Sequence, residues 1–172
     1  MSSEWLANIM EHCKQMKAGE FTRMVAHLLE VCGVHRTEIG GDKNADRIDL
    51  KIFFDEDVLV PAEIKSQTEM TKIQPKAVRQ AAENQVLLPR IATFSDKKFD
   101  IGKASLVIGW EIPPDRSDML NMIERLKDHY GIKVCVIPFK VLAEMAYNSS
   151  EGICEVDWNA LLDHSGFWGV EE

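Results

Sequence analysis

No apolar run in this sequence approaches the length that crosses a bilayer, which excludes a transmembrane helix. The start, Met1-Ser2-Ser3-Glu4-Trp5, has no basic segment followed by an apolar stretch, so no secretory signal is expected and a cytoplasmic location is. Cysteine is scarce and dispersed. Cys13, Cys32, Cys135 and Cys154 make no CxxC pair and have no nearby CxxxH. Zinc sites need clustered thiolates or imidazoles, so the four read as reduced, small hydrophobic residues. Basic charge is in short supply too. The balance of 20 Lys+Arg against 28 Asp+Glu leaves a net charge of -8, whereas nucleic-acid binders present basic surface that displaces counterions. Distribution outweighs the sum, so any DNA contact is expected from a local basic face, one that a dimer assembles.

Repeats, low-complexity tracts and Pro/Gly/Ser linkers are absent as well. One domain over 1–172 is therefore expected, long enough to bury its own core. Trp5, Ile9, Cys13 and Met16 recur at helical spacing over Glu4 to Lys17, with Ser2 or Ser3 as N-cap. Phe21, Met24, Val25, Leu28 and Leu29 predict a second helix from Glu20 to Val31, closed by Gly33, and Gly19 is the expected break between the two. Strands are expected over Val34 to Glu38, Ile48 to Phe54 and Val58 to Lys65, the last two as an antiparallel hairpin across the acidic turn Asp55-Glu56-Asp57. A helix from Pro75 to Leu87, an apolar strand from Ala104 to Trp110 and a helix from Asp115 to Tyr130 follow. A strand from Lys133 to Ile137 and a helix from Phe139 to Tyr147 complete an α/β chain with a mixed sheet. Beyond Asn148, Trp158, Phe167 and Trp168 are too many large apolar groups for a disordered tail, so residues 148–172 are expected to pack.

The chemistry concentrates in Gly40-Gly41-Asp42-Lys43-Asn44-Ala45-Asp46-Arg47-Ile48-Asp49 and in Pro61-Ala62-Glu63-Ile64-Lys65. Glu63 and Lys65 are two apart on a strand and project from one face, while Asp49, at the start of the hairpin partner, reaches the same side. Ile48, Leu50, Ile52 and Phe54 form the apolar face opposite. Two carboxylates hold Mg²⁺ with water completing the oxygen shell. A lysine beside them stabilises charge on a phosphoryl transition state or orients the attacking water. Asp42 and Asp46 compete with Asp49 for the ligand role, but both suit a turn and neither is embedded in the strand pattern.

At these residues the chain resembles the PD-(D/E)xK nuclease superfamily, and within it the Mrr-like restriction endonucleases. Gly19-Glu20-Phe21-Thr22-Arg23-Met24-Val25-Ala26-His27-Leu28-Leu29-Glu30, then Gly33 and Gly40-Gly41-Asp42 through Asp49, is similar to that family's helix, glycine turn and acidic strand start. Glu63-Ile64-Lys65 matches its (E/Q)xK strand, and Lys76-Ala77-Val78-Arg79-Gln80 its following helix. The resemblance covers residues 19 to 147. It implies a restriction-endonuclease-like αβββαβ core, with residues 1–18 and 148–172 packed on it. The implied activity is Mg²⁺-dependent hydrolysis of DNA, with Mn²⁺ as a substitute, leaving a 5′-phosphate. Asp49 and Glu63 would be metal ligands, the Ile64 carbonyl a third, and Lys65 the catalytic lysine. The chain departs from the family at the helix acid. Thr22 follows the aromatic residue, and Glu20 precedes Phe21 instead. Glu20 is thus either a metal-linked group or a first-turn acid favoured by the helix dipole. Gln80 is a further candidate at the site.

The basic residues Lys65, Lys72, Lys76, Arg79, Arg90, Lys97, Lys98 and Lys103 surround the active strand and the loops after it. Lys72, Lys76, Arg79, Lys97 and Lys98 are the candidate phosphate contacts. Cutting both strands of a duplex favours a homodimer with no small-molecule cofactor and no membrane partner. Two readings compete with the restriction-type endonuclease. A structure-selective nuclease of junction-resolvase type is weakened by the acidic balance. A non-catalytic binding or assembly module is weakened by the presence together of Asp49, Glu63 and Lys65.

Overall fold

The computed structural model describes residues 3–40, 48–55, 58–87 and 103–171. Its elements in chain order are α1 (Ser3–Cys13), α2 (Ala18–Val31), β1 (Arg36–Ile39), β2 (Leu50–Phe53), β3 (Leu59–Ile64) and α3 (Pro75–Leu87). They continue with β4 (Ser105–Gly109), α4 (Ser117–Tyr130), β5 (Val134–Pro138), α5 (Phe139–Ser150), α6 (Trp158–Asp163) and β6 (Gly166–Phe167). The result is an α/β chain with one mixed sheet of six strands, in which sheet order follows chain order. β1, β2 and β3 pair antiparallel; β3, β4, β5 and β6 pair parallel. Parallel neighbours need a crossover, and α3 and α4 provide the first two.

Every residue of β3, β4 and β5 is buried, which requires cover on both faces of the sheet. Leu50, Ile52, Val60, Ala62, Ile64, Leu106, Ile108, Cys135 and Ile137 turn one way, onto α2, α5 and the C-terminal segment. Val107, Val134 and Val136 turn the other way, onto Ile73, α3 and α4. Ala77, Ala81 and Ala82 carry so little side chain that α3 comes close to β3 and β4. No helix among the described residues is long and apolar enough to cross a membrane.

Three aromatic rings fix the layer under α2. Phe139 lies 5.0 Å from Phe21 and stacks at 5.5 Å on Trp110, with Phe21 edge-on to Trp110 at 6.2 Å. Phe139 is wholly buried. Phe139→Ala is therefore expected to cost about 4 kcal/mol through lost transfer energy and an unfilled cavity. Urea denaturation should show the loss as a lower midpoint with an unchanged slope.

Several expectations are corrected. The break between the first helices falls at residues 14–17, and Gly19 lies inside the first turn of α2. There the backbone N–H groups have no intrahelical partner, so glycine costs little. The first strand runs Arg36–Ile39 rather than Val34 to Glu38, because its ladder with β2 pairs Arg36 with Phe53 and Ile39 with Leu50. Cys154 is exposed, unlike the buried Cys13, Cys32 and Cys135. The residues after Asn148 do pack. Asp157 caps α6 by accepting from Ala160 N at 3.1 Å, Trp158 Nε1 donates to the Cys32 carbonyl at 2.9 Å, and β6 extends the sheet beside β5.

The face that carries the charges is also not open. Lys51, Phe53 and Glu63 are as buried as their apolar neighbours, since α3 covers β3 from that side and the Arg36 guanidinium lies 3.6 Å above the Phe53 ring.

Candidate active site

Leu50 pairs with Ala62, so Asp49, one residue before β2, stands opposite Glu63 on β3. Two contacts fix it. Its carbonyl accepts from Gly40 N at 3.0 Å on the β1 side, and its Oδ2 accepts from Ile64 N at 2.9 Å on the β3 side. Gly40 permits this approach because a Cβ there would lie 1.8 Å from the Ile48 carbonyl oxygen. In an extended residue the N–H and C=O leave toward the same edge. The Ile64 carbonyl therefore leaves toward Asp49 as well.

Glu63 and Lys65 project from one face of β3, as alternation requires. Lys65 Nζ lies 3.2 Å from Glu63 Oε2, with side chains only 14% and 4% exposed. The other carboxylate oxygen, Oε1, accepts from Asn84 Nδ2 of α3 at 3.3 Å. Burial first, and then the Asp49 charge, push the Glu63 carboxyl up to about 7 against a weaker downward pull from the Lys65 ammonium. A buried carboxylate thus lies beside a second, half-buried one, with the Lys65 ammonium against it.

Past Lys65 the chain is locked in place. Lys65 N donates to the Ile108 carbonyl at 2.9 Å, continuing the β3–β4 alignment. Ser66 then opens a capping box. Its N and Oγ donate to Glu69 Oε1 at 3.1 and 3.0 Å, and Glu69 N donates back to Ser66 Oγ at 3.3 Å. Thr68 Oγ1 donates to the Met16 carbonyl at 3.2 Å, tying this turn to the α1–α2 junction. The group therefore sits at the C-terminal end of a strand, where open α/β sheets present their ligands.

No known family model matches the chain, and no similar curated protein was found.

The remaining candidates are placed less uniformly. Glu20 is exposed in the first turn of α2, a helix that packs on the opposite face of the sheet. Among the described residues no hydrogen bond or ion pair joins it to Asp49, Glu63 or Lys65, and its place suits a first-turn acid. Gln80 lies on α3 one turn before Asn84, and its Oε1 is buried with no hydrogen-bond partner. Lys72 is exposed and bonded through Nζ to Glu111 Oε2 at 2.6 Å, so its charge is partly spent within the chain. Lys76 and Arg79 are exposed on α3. Lys97, Lys98, Arg90, Asp42 and Asp46 lie outside the described residues. Among the described residues no three His, Cys, Asp or Glu side chains cluster as a metal group; the carboxylate pair stands by itself.

Three features escaped the reading of the sequence. Asn84 faces Glu63, and its signal is a polar residue in the same buried stripe as Ala77 and Ala81. The Ser66-Gln67-Thr68-Glu69 box matches the S-x-x-E pattern and was legible in principle. Lys51, 3% exposed on the strand that follows Asp49, has no such signal, since strand lysines usually reach water.

Proposed function

We propose that this chain is a Mg²⁺-dependent endodeoxyribonuclease of restriction type, acting as a homodimer, with Asp49, Glu63 and Lys65 as its catalytic group. The observation that carries the reading is the Glu63 carboxylate, 3.2 Å from Lys65 Nζ and raised in pKa by its burial and then by the neighbouring Asp49. Keeping a buried carboxylate beside a second one is costly unless a cation compensates them. The donor set fits Mg²⁺, which takes hard oxygens, needs only one or two protein carboxylates, and completes its shell with water and substrate phosphate. Asp49 and Glu63 would hold it, with the Ile64 carbonyl as third ligand and Mn²⁺ as a substitute. When bound, the ion supplies Lewis-acid polarisation of a phosphoryl oxygen and acidifies water.

The chain's own groups do the rest. Asp49 and Glu63 orient toward one point because the hairpin register sets them opposite each other. The Lys65 ammonium stabilises negative charge as it builds on the phosphoryl oxygens. In the hydrolysis, a water oxygen bonds to phosphorus and the bond to the 3′ oxygen breaks. A 5′-phosphate remains, the water's proton passes to solvent, and the 3′ oxygen takes one up. The order α2-β1-β2-β3-α3-β4 reads αβββαβ and supports a restriction-endonuclease-like core. Exposed Lys76 and Arg79 on α3, together with Lys97 and Lys98, are the proposed phosphate contacts, and a net charge of -8 makes that grip depend on their local face.

Incubation of supercoiled plasmid with the protein and Mg²⁺ tests the reading. Nicking or linearisation is expected, suppressed by EDTA, with discrete fragments rather than a smear. Asp49→Ala and Lys65→Ala are each expected to slow cutting by about 10²- to 10³-fold. A folded wild-type protein that cuts no DNA in Mg²⁺ or Mn²⁺ refutes it.

A further inference from the structure

The Glu63 carboxylate is held by different groups at its two oxygens. Oε2 faces Lys65, while Oε1 accepts from Asn84 Nδ2, an amide only 3% exposed on the inner face of α3. An ionised carboxylate is acceptor-only, so the amide presents its NH₂ group to it. Burying an amide without a partner costs free energy, and Asn84 Nδ2 finds one in Glu63 Oε1. The helix that carries Asn84 is itself pinned in register, because Gln85 Nε2 donates to the Lys133 carbonyl at 2.6 Å at the entry to β5. Close approach through Ala77 and Ala81 leaves α3 little room to slide over β3. Asn84 is thus a fixed donor on Oε1 that, with Lys65 on Oε2, restricts rotation of the carboxylate about its terminal bond.

We infer that Asn84 is a positioning residue for Glu63: it engages Oε1 so that Oε2 is presented to Lys65 and to the cation. This rests on the reading of Asp49 and Glu63 as a cation-binding pair. Partners that orient a metal-ligating group change metal affinity by about 10- to 100-fold when removed. Packing alone predicts something different, because a leucine fills the asparagine volume without supplying a donor.

The test compares Asn84→Leu and Asn84→Ala with the wild type in two measurements. Free Mn²⁺ is followed by its paramagnetic resonance signal during titration of each protein without DNA. The Mg²⁺ midpoint and the saturating rate of plasmid cutting are read separately. Expected is a Mn²⁺ dissociation constant raised about 10-fold or more in both variants. A matching rise in the Mg²⁺ midpoint is expected, with the saturating rate within about threefold of wild type. An unchanged dissociation constant in either variant overturns the inference, as does rescue by leucine alone, which would make the role one of volume. If wild-type protein binds Mn²⁺ and the variants bind it weakly while none cuts DNA, the inference stands and the nuclease reading falls. If the wild type binds no Mn²⁺, both fall.

Discussion

Glu63→Gln is expected to abolish DNA cutting and at the same time to stabilise the metal-free protein above neutral pH. The substitution keeps the shape of the side chain and its bond from Asn84 but removes the charge. Loss of a ligand and of its charge should lower the cutting rate by about 10³-fold or more, as removal of preorganised electrostatic groups does. Stability moves in the opposite direction. Folding raises the Glu63 carboxyl from its ordinary value of 4.5 to about 7. A group whose folded value is raised binds its proton more tightly in the folded state. Its contribution is complete below pH 4.5 and is lost as pH climbs through about 7. Metal-free wild-type protein should therefore weaken across that window and level off above it. Glutamine carries no proton to lose, so the variant should lack this component of the pH dependence.

The size of the effect follows from linkage. The upward shift, in which the Lys65 attraction is already counted, amounts to about 3 kcal/mol in favour of the variant at pH 8. For a chain of this length that is a rise in Tm of roughly 6–12 °C, vanishing below pH 4.5. Differential scanning calorimetry in EDTA at pH 4 and pH 8 reads it directly. A variant no more stable than wild type at pH 8 would show that the Glu63 charge is not penalised by the fold.

Gly40→Ala is expected to be the most damaging small substitution near the site. The added methyl meets the backbone oxygen of Ile48 at 1.8 Å, and the Ile48 carbonyl carbon at 3.0 Å. Neither is the end of a flexible side chain, so the strands must part by more than 1 Å or so for ordinary van der Waals contact to return. The bond from Gly40 N to the Asp49 carbonyl, 3.0 Å, is then lost, and with it the brace on the β1 side of Asp49. A loss of about 4 kcal/mol is expected, at the upper end for a single change. Should the chain relax without unfolding, the displaced Asp49 would lower cutting by about 10²-fold, as misplacement by about 1 Å does. Denaturant melts and plasmid cutting on the same preparation distinguish the two routes. Wild-type stability together with wild-type cutting would show that the close approach is not needed.

The periodicity of β2 and β3 made their pairing legible, because alternate residues of a strand must share a face. The opposition of Asp49 to Glu63 and the common side of Glu63 and Lys65 follow from it. The start of helix α3 was legible, because Pro75 suits a first turn. The break between α1 and α2 was not, since Gly19 is a weak marker where backbone donors are unpaired in any case. Nor was the sixth strand. Gly166-Phe167 is too short to carry a pattern and becomes a strand only because β5 offers an open edge.

The sequence by itself determined that two acids and a lysine lie together on one face of a hairpin, since strand geometry is local. Only the tertiary structure decided that this face is covered and not open to water. Burial by α3 depends on contacts between residues far apart in the chain, such as Asn84 with Glu63, and no local pattern reports them. That cover takes Glu63 out of water beside Asp49 and raises its pKa.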